Sequence, residues 1–324
     1  MPTDHLTVAP SRTADAVLAV LSGTPVEVAA AAINVQPGDL AIAVEVYQTA
    51  GREALEARTA DGGWYHVNLQ FPGDTAEQAA AALLQRLDGL REREMIDAWW
   101  FIRKHPGWRL RLRPRTGVVS EGLRAATNAV LNDLTVSGVL ERWWPAIYEA
   151  ETASFGGPVG MEIAHELFCA DSRRILTHLR QPAPEVGRKE LSMMLCSIML
   201  SAAGLDRFER GDLWNRVAEL RLLPADTPPG RLEAMADKLR PLVASPLGTI
   251  TPCGPLAFAE SWAIDFRQTG QALREAASAG QLSRGIRHVL THVVIFHWNR
   301  LGLSSTTQAI LSRAAREALL PSGS

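Results

Sequence analysis

Cysteine is scarce in this chain of 324 residues. Three are present (Cys169, Cys196 and Cys253) and none forms a CxxC pair, so neither a disulfide-stapled secreted scaffold nor a thiolate zinc site is indicated. An excess of one charge is lacking too. Lys and Arg number 33 against 35 Asp and Glu, a net of −2, which excludes a globally basic nucleic-acid binder but not a local basic patch. No apolar run approaches the ~20 residues that cross a bilayer. The start, MPTDHLTVAP, carries Asp4 and no apolar stretch of the signal-peptide kind. A cytoplasmic protein with no membrane partner is expected. GxSxG, Walker A and GxGxxG motifs are all missing, which removes support for the common hydrolase, NTPase and dinucleotide readings. What remains is an ordinary globular composition, 47% hydrophobic and 21% charged, with tryptophan frequent at nine against three tyrosines.

The first sixty residues read as a small helical head. Apolar spacing in TADAVLAVLSG, then Thr24-Pro25 and Pro37-Gly38-Asp39 as openers, marks three helices. The arrangement resembles a helix-turn-helix, but the second and third helices have almost no Lys or Arg to meet phosphate. Packing or partner docking is favoured over DNA.

From Trp64 the pattern changes. WYHVNLQF alternates, with Tyr65, Val67, Leu69 and Phe71 on one face and Trp64, His66, Asn68 and Gln70 on the other. A helical TAEQAAAALLQRLDGL follows, then AWWFIR as a buried strand, the turn His105-Pro106-Gly107, and WRLRLR as an alternating strand. SEGLRAATNAVLNDLTVSG is helical and WPAIYEAE can close the set. The order is βαββαβ, the ferredoxin-like split βαβ. That topology makes the first and third strands neighbours, puts both helices on one face and leaves the other face open. The open face would then display Trp64, His66 and Asn68 beside Arg109, Arg111 and Arg113. RKHPGWRLRLRPR holds six cations and no acid, and like charges on one strand face call for counter-charge or an anionic ligand.

Residues 158–324 read as helical, with proline and glycine at the joints, notably Pro182/Pro184 and Pro252-Cys253-Gly254-Pro255. The fold class expected is α+β: a head over 1–60, then one domain over 61–324, with its sheet in 61–157 and its helical half in 158–324. His288 and His292 lie four apart, a metal-ligand spacing, but Val289 stands where a zincin needs glutamate and no third ligand is evident, so no metal is expected. His297, followed by Trp298, Asn299 and Arg300, is the better candidate for chemistry, although core packing explains much of that group.

WWFIRKHPGWRLRLRP, IYEAETASFGG, MEIAHELFCADSRRIL and FHWNRLG, in this order, resemble the thiopeptide-type bacteriocin biosynthesis proteins, relatives of the C-terminal elimination domain of lantibiotic dehydratases. The resemblance runs from about Trp64 to the C-terminus. It implies one of two chemistries. Elimination domains remove glutamate from glutamylated Ser or Thr. The related pyridine synthases close two dehydroalanines of a precursor peptide into a six-membered nitrogen ring by a formal aza-4+2 cycloaddition, with loss of water and leader peptide. The two arginines of the eliminase HLRLR block match Arg111 and Arg113, but its next arginine matches Ser154 and its histidine matches Ile295. Losing both argues against elimination and for the synthase. The acid/base or donor candidates are then His297, Tyr148, Ser154 and His66. Arg109, Arg111, Arg113, Trp64, Asn68, Trp298 and Asn299 are the substrate-binding candidates. A leader-bearing, azole-containing precursor peptide is the implied partner, with other biosynthetic enzymes as further partners, and no cofactor is expected because neither reaction is a net redox step. A glutamate-eliminating subunit and a non-catalytic module binding leader peptide or RNA are the alternatives. RNA-binding domains of this topology stack bases on strand aromatics, whereas the third strand here offers arginines.

Overall fold

A computed structural model describes residues 10–60, 63–73, 75–180, 186–244 and 256–320. The joints at Pro182/Pro184 and Pro252–Pro255, with Cys253, and the first nine residues lie outside the described residues. The chain divides into two compact units, Met1–Ala60 and Asp61–Ser324.

In the first unit α1 (Pro10–Leu21), α2 (Val26–Ile33) and α3 (Pro37–Ala60) enclose a small cluster of Ala16, Val17, Ala29, Ala30 and Leu40. Three of these five are alanines, and half-buried Val20, Val26, Ile33, Val35 and Val44 pack around them. Asn34 ends α2 in the left-handed region, and Pro37 then opens α3 at a position where its missing N–H costs nothing.

The second unit is built on a four-stranded antiparallel sheet of β1 (Tyr65–Gln70), β2 (Ile96–Lys104), β3 (Gly107–Pro114) and β4 (Arg142–Ala146), in the order β2-β3-β1-β4. The first and third strands are neighbours, as the topology demands. Register follows the hydrophobic alternation: Tyr65, Val67 and Leu69 oppose Leu112, Leu110 and Trp108. Of the two intervening helices, α4 (Ala80–Glu92) packs on β2, while α5 (Ser120–Val136) reaches β1 and β4 and accepts the Tyr65 hydroxyl at Asn128 Oδ1, 2.8 Å. The β2–β3 turn needs glycine at 107, because a Cβ there would collide with the Leu69 carbonyl oxygen.

Among the described residues seven α-helices follow: α6 (Pro158–His178), α7 (Arg188–Ala202), α8 (Arg207–Glu219), α9 (Pro229–Ala244), α10 (Glu260–Ser278), α11 (Ile286–Leu301) and α12 (Ser305–Leu319). Every residue of α7 from Leu191 to Leu200 is buried, the condition of a helix apolar on all sides, and α9 and α10 are among the helices packed on it. Helix α6 takes the outer edge of β2, where the Phe101 N–H donates to Ser172 Oγ at 3.1 Å.

The second face of the sheet is not open, and this corrects the expectation from sequence. His66 and Arg111 are only 5% and 3% exposed. Trp100 shares their face, in register with Arg111, and a buried tryptophan commits that face to packing. Tyr148, Phe168 and His165 pack their rings against Trp100. Strand β4 also stops at Ala146, earlier than WPAIYEAE suggests, which frees Tyr148 to fold back over Arg111.

Candidate active site

Arg111 stands at the middle of β3, opposite His66 on β1 and Trp100 on β2. Its guanidinium lies 4.0 Å over the Trp100 ring and 4.8 Å from that of Tyr148. Nε and Nη1 are buried without a hydrogen-bond partner. Burial lowers its pKa to about 10, only partly offset by Tyr148 and Glu151. Cation–π contact returns about 2 kcal/mol when desolvated, less than the several kcal/mol of desolvating an ion. A guanidinium held this way has donors in reserve.

His66 complements it. Ring Nδ1 lies 3.0 Å from the Ile147 carbonyl oxygen, which can only accept, so the proton sits on Nδ1 and Nε2 keeps its lone pair. That Nε2 is buried and unpartnered. Burial first, then the Arg111 charge, lower the imidazole pKa to about 4, so the ring is neutral at pH 7. Tyr148 and His165 Nε2 share a hydrogen bond of 2.7 Å. His165 Nδ1 stands 3.8 Å from Glu162 Oε2, too far for a hydrogen bond. Trp64 closes the side, 5.1 Å from His165 and 6.3 Å from Tyr148 between ring centroids. The assembly offers buried donors, one neutral acceptor, and a phenol backed by an imidazole.

A second polar cluster lies deeper. Asp171 on α6 accepts from Trp262 Nε1 at 2.8 Å, from Arg300 Nε at 2.8 Å and from His297 Nδ1 at 3.0 Å. His297 Nε2 meets Ser192 Oγ at 3.1 Å, and Ser192 also accepts from Trp298 Nε1 at 2.8 Å. This is a Ser-His-Asp arrangement, but Asp171, Ser192 and His297 are all 0% exposed. Asp171, His297 and Ser192 are already engaged with core partners, so the cluster is a buried buttress. Burial would raise the Asp171 carboxyl, but His297 and Arg300 hold it below the ordinary range.

The family model described as lantibiotic biosynthesis dehydratase C-term matches residues 64–319. The chain belongs to this lantibiotic dehydratase C-terminal family. None of the curated proteins matches it. Among solved structures, the tRNA-dependent lantibiotic dehydratase MibB from Microbispora sp. 107891 superposes with a TM-score of 0.60 at 22% identity, over 80% of this chain and 28% of MibB. TsrL superposes with a TM-score of 0.53 at 16% identity, over 80% of this chain and 99% of TsrL. These likenesses establish the fold, and the chain matches little more than a quarter of MibB's length.

Within this family domain the candidate residues separate. Arg111, His66, Tyr148 and Trp64 come together. Arg113 adjoins them but is paired with Asp97 at 2.9 Å and Glu162 at 3.3 Å, so its charge is already answered. Asn68 and Arg109 face one another one step along the same sheet face, both half-buried. Ser154 sits in the turn before α6, its N–H bonded to the Glu151 carbonyl at 2.8 Å. His297 and Trp298 belong to the deep cluster, with Trp298 stacked on Trp214, and Asn299 accepts from Gln308 at 2.9 Å. His165, Glu162 and Trp100 were not singled out from sequence. The i, i+3 spacing of Glu162 and His165 was the available signal, and the alternation of Trp99 with Trp100 places Trp100 on the arginine face. Burial pushes the thiols of Cys169 (to about 12) and Cys196 up, so neither is a thiolate nucleophile. Among the described residues no three His, Cys, Asp or Glu side chains gather as a metal site, and no helix is long and apolar enough to cross a membrane.

Proposed function

We propose that this chain is a pyridine synthase, closing two dehydroalanines of a leader-bearing, azole-containing precursor peptide by a formal aza-4+2 cycloaddition, then losing water and leader. The observation that carries it is the set of polar groups at the site. Where the resembling eliminases place a histidine this chain has Ile295, 5% exposed, and Ser154 replaces their third arginine. His297, two residues on from Ile295, already has both ring nitrogens engaged in the core. The set suits positioning: Arg111 donors for a substrate carbonyl, His66 Nε2 as an acceptor, and Tyr148 with His165 as a proton relay for tautomerising an amide and expelling water. Such a reaction asks mainly for near-attack geometry. The strand order supports the split βαβ reading, and the unit boundary at Ala60 supports a separate head. Cytoplasmic location and absence of a cofactor remain part of this proposal.

Retention of Arg111 and Arg113 favours elimination as the second reading. Burial of His66 and Arg111 speaks against an RNA-stacking face. The test supplies wild-type protein with glutamylated precursor and, separately, with fully dehydrated precursor, followed by mass spectrometry. Macrocycle and free leader from the dehydrated peptide are expected. Glutamate release from the first with no macrocycle from the second overturns the assignment.

A further inference from the structure

We infer that a cleft at the hairpin end of the sheet docks an acidic peptide segment carrying interspersed apolar residues. The cleft holds about 1110 Å³ between the β2–β3 hairpin, the segment after α8 and the start of α12. It is distinct from the Arg111 cluster. Trp108, which lines it, stands in register with Leu69 on the opposite face of the sheet from Arg111.

Its charge is one-sided. Among the described residues, Arg103, Lys104 and Arg221 line it against a single acid, Glu77. Glu77 is already committed, to Arg188 through bonds of 2.5 and 2.6 Å and to Arg103 at 2.8 Å. The Arg188 bonds, against the opposing effect of burial and with help from Arg103, hold its pKa near 2, so it stays a paired carboxylate. Arg103 Nη2 is buried and has no partner. The first turn of α12 contains no acid, and Ser304 and Ser305 at its start face the same space, adding the partial positive charge of a helix N-terminus. This basic cleft belongs to a chain of net charge −2.

Its rim is apolar. Leu222 is 87% exposed and Leu220 51%. Carboxylates would answer the charges of Lys104 and Arg221, which Glu77 does not pair, and aliphatic side chains would cover the leucines. A peptide supplies both, whereas a nucleic acid supplies phosphate without the aliphatic groups. The inference rests on the proposed reading in one respect: a substrate whose reacting part is small gains from a hold elsewhere, which lowers KM without raising kcat.

Fluorescence anisotropy on the full chain tests it without turnover, so its failure and that of the cycloaddition are separate results. The probes are a labelled peptide of Glu and Leu, its twin with Gln for Glu, and an oligouridine of equal length. The Glu peptide is expected to bind tightest and to weaken with salt as the Debye length falls below ~10 Å. Lys104→Glu, on an exposed side chain, is expected to weaken it about two- to tenfold, Leu222→Ser by about two- to threefold, and Arg86→Glu on α4, outside the cleft, not at all. Equal binding of the Gln twin, tighter binding of the RNA, or equal losses from Lys104→Glu and Arg86→Glu would each overturn the inference.

Discussion

Single residues at this site trade stability for availability. Arg111 is desolvated without a carboxylate against it, so its charge is a net cost to folding. Arg111→Met is expected to keep or raise the melting temperature while abolishing macrocycle formation. Arg111→Lys should not restore activity, because an ammonium cannot lie flat between Trp100 and Tyr148 or offer a planar pair of donors. Thermal melts and turnover on the same variants check both. His66 gives a pH signature. Its folded pKa, near 4, lies below the unfolded value of about 6.5, so the unfolded chain takes up the proton first. Stability from His66 is complete above about pH 6.5 and lost as pH falls towards 4, by at most ~3 kcal/mol. Urea titrations from pH 7 to 4 should show this slope in the wild type and a shallower one in His66→Gln.

At the level of elements, α6 is the member that makes the site. Its Ser172 ties down the edge of β2, its His165 meets Tyr148, and its Asp171 anchors α11 through His297 and Arg300. These contacts differ in strength. Ser172→Ala leaves the Phe101 N–H without its partner and should cost about 1–3 kcal/mol. Asp171→Ala leaves Arg300 as an uncompensated charge in the core and should cost about 3–5 kcal/mol. Denaturant midpoints with unchanged m-values check the order. An equal loss from both would mean that the Asp171 cluster is not a buttress. Exchange of His297 for Gln belongs to the same experiment: it should lower stability, and activity only in proportion to the folded fraction.

Over the whole molecule, stability is unevenly distributed. The second unit buries long apolar helices such as α7, whereas the head's described core is small, Ala16, Val17, Ala29, Ala30 and Leu40 ringed by half-buried Val20, Val26, Ile33, Val35 and Val44. Amide hydrogens of α1 to α3 are therefore expected to exchange through low-energy local openings, far faster than those of α6, α7 and α11. Equal protection across both units would contradict this.

Local chemistry alone was enough to determine the head's three helices, the strand sequence and the family blocks, and the β1–β3 adjacency followed from the order of strands and helices. Each rests on periodicity, turn residues or short motifs that act within one element. WYHVNLQF and WRLRLR place His66 and Arg111 on one face by alternation, so half of the candidate site was legible. Whether that face meets water was decided by α6 and Tyr148, which arrive from distant sequence positions and cover it. The same long-range packing drew His297 inward, where Asp171 and Ser192 claim both of its nitrogens, and brought His165 out to Tyr148. A histidine's role depends on what the tertiary fold sets beside each nitrogen, and neighbouring residues in the chain do not carry that information.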